Sequence, residues 1–388
     1  MTTAPDARAE TAPPPTSRVL VDATSVPRDR GGVGRYVDEL LPALVAEGQD
    51  VVVVHQDHDA QHYADLVPTV RRLAAPSWAR RRPARLVWEQ VALPRMARSV
   101  GADVVHCPHY TMPLLARVPV VVTLHDATFW SHPEAHLRVK RVFFRAWSRV
   151  SLRRAARCIT PSAATRDELV RVAGGDRSRI DVAHLGVDSS VFHPVTADRV
   201  DALRVELAIP GRYLAFLGTL EPRKNVPALI DAWVSACQDT PDPPSLVLVG
   251  GRGWDDRLEG AVARVPSSLR LLRPGYLPLD RLSPLLNGAE IVVYPSVGEG
   301  FGLPVLEAMS AGAAVLTTRR LALPEVGGDA VQYAEPDVGS LAAAITDLLG
   351  SPSRTEELRS AGARRAATFT WAACARVHRA TYATAVRA

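Results

Sequence analysis

Short runs of β-branched and aliphatic residues recur along the chain, each followed by a polar or glycine-rich stretch and then by an amphipathic segment. Residues 18–23 (RVLVDA), 50–55 (DVVVVH), 103–107 (DVVHC) and 119–126 (PVVVTLHD) carry almost unbroken apolar cores. That is the pattern of strands buried on both faces of a parallel sheet. Between the first two, residues 34–48 space their apolar side chains helically and stop at Gly48, predicting an amphipathic helix. CITPS (158–162) and RIDVAHLG (179–186) read as further strand-to-loop turns. The period lapses over 186–195, GVDSSVFHPV, which reads as a linker. It then restarts, with strands expected at 212–218, 245–250, 291–296 and 313–318 and a helix at 225–237. Alternating β and α segments argue for two doubly wound α/β domains, over 18–190 and 191–369. A last helix is expected over 370–388, and the Ala-, Pro- and Thr-rich residues 1–17 are expected to form a disordered tail.

In such sheets ligands bind beyond the carboxyl ends of the strands, so the loops that follow strands carry the candidate chemistry. SVGEGFGLPVLEAMSAG (296–312) follows the IVVYPS strand directly. Gly298, Gly300 and Gly302 let backbone approach a ligand without Cβ obstruction. Pro304 suits a first helical turn, and Gly312 suits the stop. A glycine loop running into a helix N-terminus is a phosphate cradle. Glu299 lies just before the helix and Glu307 near its first turn, where their carboxylates accept from paired hydroxyls of a ribose or sugar. A glycine-rich turn with a glutamate capping its own helix fits the same residues. GTLEPRKN (218–225) sets Arg223 and Lys224 at a helix start, where positive charge opposes the dipole and an anionic ligand would offset it. Gly31, Gly32 and Gly34 stand between the first strand and its helix, without the spacing of a dinucleotide fingerprint. His125 and Asp126 end another strand, where an imidazole can bond a hydroxyl or move a proton.

Composition narrows the classes. The 388 residues are 47% hydrophobic and 22% charged, ordinary globular values with room for two or three domains. No apolar run approaches the roughly 20 residues of a membrane span, and no secretory leader pattern opens the chain. Cys107, Cys158, Cys237 and Cys374 lie far apart with no metal spacing, consistent with reduced thiols in a cytoplasmic protein. The formal charge is +5, and of 46 basic residues all but Lys140 and Lys224 are arginine. Segments 76–98 and 135–158 are strongly basic with interleaved Phe and Trp. They read as peripheral contacts with an anionic membrane or as helices whose aromatics face the core. Asp57-His58-Asp59 imitates an acidic metal motif without further ligands, and no nucleic-acid-binding motif is present.

Taken together, EGFGLPVLE (299–307), GTLEPRKN, GGVGRY (31–36), TLHD (123–126) and GVDSSVF (186–192) resemble the retaining glycosyltransferases of family 4. The resemblance implies the GT-B fold, two Rossmann-like domains facing across a cleft, with the final helix returning to the first domain. It implies a metal-independent hexosyltransferase with no cofactor, its donor a nucleotide sugar, GDP-mannose favoured over related UDP and dTDP sugars. Its acceptor would be a glycan, a lipid-linked sugar or a small molecule. Carried onto this chain, His125, Arg223, Lys224 and Glu299 would be catalytic. Gly32, Gly218, Tyr276, Gly300, Phe301, Gly302, Leu303 and Glu307 would bind the donor, and Arg35, Tyr36 and Asp126 would lie on the acceptor side. Some relatives have a basic residue after the first phosphate-motif glycine. Here Thr219 follows Gly218, which shifts charge neutralisation onto Arg223 and Lys224. A nucleotide-sugar epimerase or a non-catalytic sugar-binding module on the same scaffold is the alternative.

Overall fold

A computed structural model describes residues 17–387 apart from Asp29, His132 and residues 134–136. The expected tail lies outside the described residues except for Ser17. The chain forms two separate sheets, each parallel throughout. The first contains β1 (Val19–Asp22), β2 (Val51–His55), β3 (Arg71–Ala74), β4 (Val104–Cys107), β5 (Val120–Thr123), β6 (Arg157–Thr160) and β7 (Ile180–Val182). Their order is β3-β2-β1-β4-β5-β6-β7. The second contains β8 (Tyr213–Leu217), β9 (Ser245–Val249), β10 (Leu271–Gly275), β11 (Ile291–Tyr294), β12 (Val315–Thr318) and β13 (Gln332–Ala334), in the order β10-β9-β8-β11-β12-β13.

Both orders reverse once. In the first sheet β1 pairs with both β2 and β4, Val19 lying opposite Val51 on one side and Val104 on the other. In the second, β8 pairs with both β9 and β11. Parallel neighbours on either side of such a reversal send their connections to opposite faces, which opens a crevice at the strands' carboxyl ends. The loops after β8 and β11 carry GTLEPRKN and GEGFG, so the fold sets both beside the second sheet's crevice.

The first helix spans Gly31–Ala46, so the glycines expected in a loop before it form its first turn instead. The final helix, Trp371–Arg387, leaves the second half and packs on Gly31–Ala46 and on β4 to β7. The contact is polar at its centre. Tyr36 Oη lies 2.6 Å from His378 Nε2 and 2.9 Å from Thr123 Oγ1. Tyr382 Oη lies 2.9 Å from His106 Nδ1, and Thr381 donates to Asp181 at 2.7 Å. Burial pushes His378 down to about 4, so the network is held between neutral rings. The chain crosses between the halves twice, side by side: Val187 N–H donates to the Phe369 carbonyl at 3.2 Å. A Cβ on Gly186 would stand 2.2 Å from Trp371 N.

Candidate active site

At the end of β11, Glu299 is buried at 6% exposure and surrounded by donors. Its Oε1 accepts from Lys224 Nζ at 2.7 Å, Ser296 Oγ at 2.8 Å and Tyr294 Oη at 3.0 Å. Its Oε2 pairs with Arg223. Burial alone would raise this carboxyl, but the charges of Arg223 and Lys224 overcome it and hold Glu299 at about 2. The same burial draws Lys224 below its usual value against the pull of Glu299. Arg223 also bonds the Gly298 carbonyl and Glu221, each at 2.6 Å. Arg223, Lys224, Glu299 and Glu221 therefore cancel in formal charge, so the two cations act on an anion only at close range, and a positive field beyond them must come from elsewhere.

That field comes from the loop. Among the described residues, none of the backbone N–H groups from Gly298 to Leu303 donates a hydrogen bond. They lead into the helix Leu303–Ser310, with Gly302 at φ 108° where only glycine sits without strain. A run of free N–H groups at a helix N-terminus is a concave positive surface. Gly218, after β8, is tightly packed: a Cβ on Gly250 would meet the Gly218 carbonyl at 2.0 Å. Lys224 Cε lies 3.9 Å from the Cβ position of Gly218.

Glu307 falls in the second helical turn rather than the first and is 1% exposed. Arg35 Nη2 stands 2.7 Å from its Oε1. Apart from this ion pair, neither Glu307 oxygen has a hydrogen-bond partner among the described residues. Burial raises the Glu307 carboxyl against the opposing charge of Arg35. A cavity of about 10 Å³ lies here, lined by Arg35, Glu39, Asp188, Leu303, Glu307 and Trp371. It has room for about one water, so the domains are closed on each other.

Across the cleft, His125 is half-buried, and desolvation lowers it against the Pro108 carbonyl, to which Nε2 bonds at 2.7 Å. The His125 carbonyl sits against the second domain's loop: a Cβ on Gly300 would meet it at 2.0 Å. His125 thus meets Gly300, and Arg35 meets Glu307, across the interface between the domains. The other expected residues, Tyr36 and Asp126 on the acceptor side and Gly32, Tyr276 and Phe301 on the donor side, are placed as follows. Tyr36 is 1% exposed, turned inward to His378 and Thr123 with its ring 5.0 Å from that of His125. The hydroxyl is spent on joining the final helix to the first sheet. Asp126 Oδ1 accepts from Thr128 N at 2.9 Å and Thr128 Oγ1 at 2.7 Å, closing a local turn. Gly32 is exposed in the first helical turn, with open space beyond it. Tyr276 follows β10 and is 77% exposed. Phe301 is buried, 6.0 Å ring to ring from Phe369.

Several residues at this site were not singled out by the sequence. Tyr294 and Ser296 hold Glu299, and their only signal was their place in IVVYPS, immediately before the loop. Ser162, Thr165 and Glu325 join the two domains, and nothing local marks them.

Comparison with known proteins decides the family. The model for Glycosyltransferase Family 4 matches residues 30–191, and that for Glycosyl transferases group 1 matches residues 201–365. O-antigen chain mannosyltransferase B of Escherichia coli is 32% identical over 362 residues, covering 88% of this chain and 93% of that protein. The chain belongs to glycosyltransferase family 4. The glycogen synthase of Mycobacterium tuberculosis is a more distant relative, 29% identical over 88% of each chain. Sucrose-phosphate synthase from Thermosynechococcus elongatus superposes with a TM-score of 0.75 at 21% identity, covering 95% of this glycosyltransferase and 99% of its own chain. Anabaena HepE in complex with UDP-glucose gives 0.73 at 19% identity, over 93% and 97%. These neighbours establish the GT-B fold. The protein is an enzyme that transfers sugar from a nucleotide sugar. No helix among the described residues is long and apolar enough to cross a membrane.

Proposed function

We propose that this glycosyltransferase moves mannose from GDP-mannose to a hydroxyl of a growing glycan, with retention and without a metal ion. The observation that carries the reading is the unpartnered N–H run from Gly298 to Leu303 beside Arg223 and Lys224. In that cradle the donor's diphosphate receives hydrogen bonds as its bond to the anomeric carbon lengthens, and the negative charge that develops is met by preorganised donors. Glu307, buried with both oxygens lacking hydrogen bonds, would take the ribose hydroxyls, a pair of donors suited to a carboxylate. Binding them requires displacing Arg35 and parting the domains, since the cavity at Glu307 holds about one water.

Glu299 has four donors and no free face. Its role is to orient Arg223 and Lys224 rather than to attack the sugar. Retention then follows from the acceptor entering on the face the diphosphate leaves, and His125 is placed to bond the sugar or acceptor. Metal independence rests on leaving-group charge being met by the cradle and two cations. The mannosyl assignment leans on the mannosyltransferase relative that matches the chain nearly end to end.

The test is a thermal-shift series with GDP-, UDP-, dTDP- and ADP-sugars, since a native-state ligand raises the melting temperature with its concentration. GDP-mannose should give the largest shift and Glu307→Ala should abolish it. A larger shift with another base would replace the donor. Turnover in excess EDTA should be undiminished, and a sharp loss would end the metal-free reading.

Peripheral membrane contact has one observation in its favour. The helix Arg138–Arg154 exposes Val139 (82%) and Val142 (65%) among Arg138, Lys140 and Arg141, with Leu137 at 72% just before it. Exposed apolar residues among cations suit an anionic lipid surface.

A further inference from the structure

The first domain reaches into the donor loop. Ser162 Oγ donates to the Gly300 carbonyl at 2.6 Å, and Thr165 Oγ1 donates to the same oxygen at 2.9 Å. Both side chains are buried, Ser162 fully and Thr165 at 3% exposure. They stand at the start of the helix Ala163–Ala173, where Ser162 Oγ also accepts from Thr165 N at 3.0 Å. That helix is fastened to the second domain by Glu325. One carboxylate oxygen accepts from Ala163 N at 2.8 Å, the other from Ala164 N at 3.1 Å, and His184 Nε2 lies 2.5 Å away. Glu325 is lowered because these three donors outweigh its burial. A carboxylate at a helix N-terminus is electrostatically favoured, and here it comes from the opposite domain.

The geometry has a directional consequence. The described peptides are all trans, and in a trans peptide the carbonyl and the following N–H point in opposite directions. With the Gly300 carbonyl anchored to Ser162 and Thr165, the Phe301 N–H faces away from them, and it has no partner among the described residues. Without the anchor, Gly300 on its N-terminal side gives this peptide more freedom to rotate. Apart from the Ser162–Thr165 cap, these contacts cross between the domains, so they exist only when the cleft is closed.

We infer that Ser162 and Thr165 are positioning residues, which fix the Gly300–Phe301 peptide on domain closure so that its N–H is presented to the donor's diphosphate. The inference rests on the donor-loop reading above and adds a first-domain control to it. Closure thereby completes the phosphate site as well as covering it.

The experiment is calorimetric titration of UDP and GDP, and of uridine and guanosine, into wild type, Thr165→Val, Thr165→Ser and Glu325→Gln. Thr165→Val keeps the side chain's shape and removes the donor. It should weaken the better-bound diphosphate about five- to tenfold, one hydrogen bond's worth, leave its nucleoside unchanged, and raise KM for the sugar donor. Thr165→Ser should restore wild-type binding. Glu325→Gln, which loosens the helix without touching Gly300, should show the same phosphate-selective loss and keeps the question open to test if Thr165→Val does not fold. Wild-type diphosphate affinity in both Thr165→Val and Glu325→Gln, or equal losses for nucleoside and diphosphate, would overturn the inference and leave the donor site standing. Failure of the wild type to bind either diphosphate would overturn the donor-loop reading itself, and this inference with it.

Discussion

Lys224 is one of two lysines in the chain, and its ammonium is buried against Glu299. Replacing it with alanine removes a charge from the leaving-group side and leaves Glu299 with one cation. The expected result is a fall in kcat of about 10²-fold or more, measured by steady-state release of nucleotide. Near-normal turnover would assign that role to Arg223 and the N–H run alone. Glu39 behaves oppositely to Glu299. Burial and the neighbouring Asp188 carboxylate push it up to about 7, with Arg35 pulling the other way. A carboxyl whose folded value exceeds its unfolded one stabilises the fold when protonated. That contribution is complete below the ordinary carboxyl value and is lost as pH rises through 7. Melting temperature across pH 4 to 8 should therefore decline in wild type more steeply than in Glu39→Gln; parallel curves would show that Glu39 is solvated.

Among the elements, the donor loop is packed directly against the other domain. A Cβ on Gly300 would meet the His125 carbonyl at 2.0 Å and Asp126 Cβ at 2.9 Å. Gly300→Ala must push the loop from the first domain, and a displacement of about 1 Å at a reacting centre costs about 10²-fold. Kinetics should show that loss while the melting temperature stays close to wild type, because the clash lies between domains. The helix Arg138–Arg154 makes a separate prediction: sedimentation with anionic vesicles should be strong at low salt and fall steeply as salt rises. No binding at low salt would leave the helix as an ordinary surface element. Its aromatic side faces inward, Phe144 stacking on Phe129 at 4.5 Å.

The strands legible in the sequence were the buried ones. β1, β2, β4 and β5 of the first sheet and β8, β9, β11 and β12 of the second are apolar runs. β3, β10 and β13 escaped notice, and all three are sheet edges with mixed burial. An edge strand is covered on fewer sides and need not be apolar; β10 even holds Pro274, which an edge tolerates. The site divides the same way. Glu299, Glu307, Arg223 and Lys224 belong to contiguous motifs, whereas Ser162 meets the loop, and Glu325 meets the helix that Ser162 begins, only through folding, across more than a hundred residues.

For the molecule as a whole, the two halves are joined where residues 186–187 and 369–371 run side by side. A Cβ on Gly186 would stand 2.2 Å from Trp371 N and 2.6 Å from the Thr370 carbonyl carbon, both backbone atoms that cannot yield separately. Gly186→Ala should destabilise the protein by about 1–3 kcal/mol, read by denaturant titration; an unchanged midpoint would mean the crossing is slack. Because the final helix completes the first domain's buried layer, the order of synthesis and the order of assembly part company. The ribosome makes the first sheet first, yet Tyr36 and His106 keep open positions until Tyr382 and His378 have emerged. At about 5–20 residues per second, the nascent first half waits many seconds with that groove uncovered, while the second half, closed within its own stretch of chain, is able to fold ahead of it.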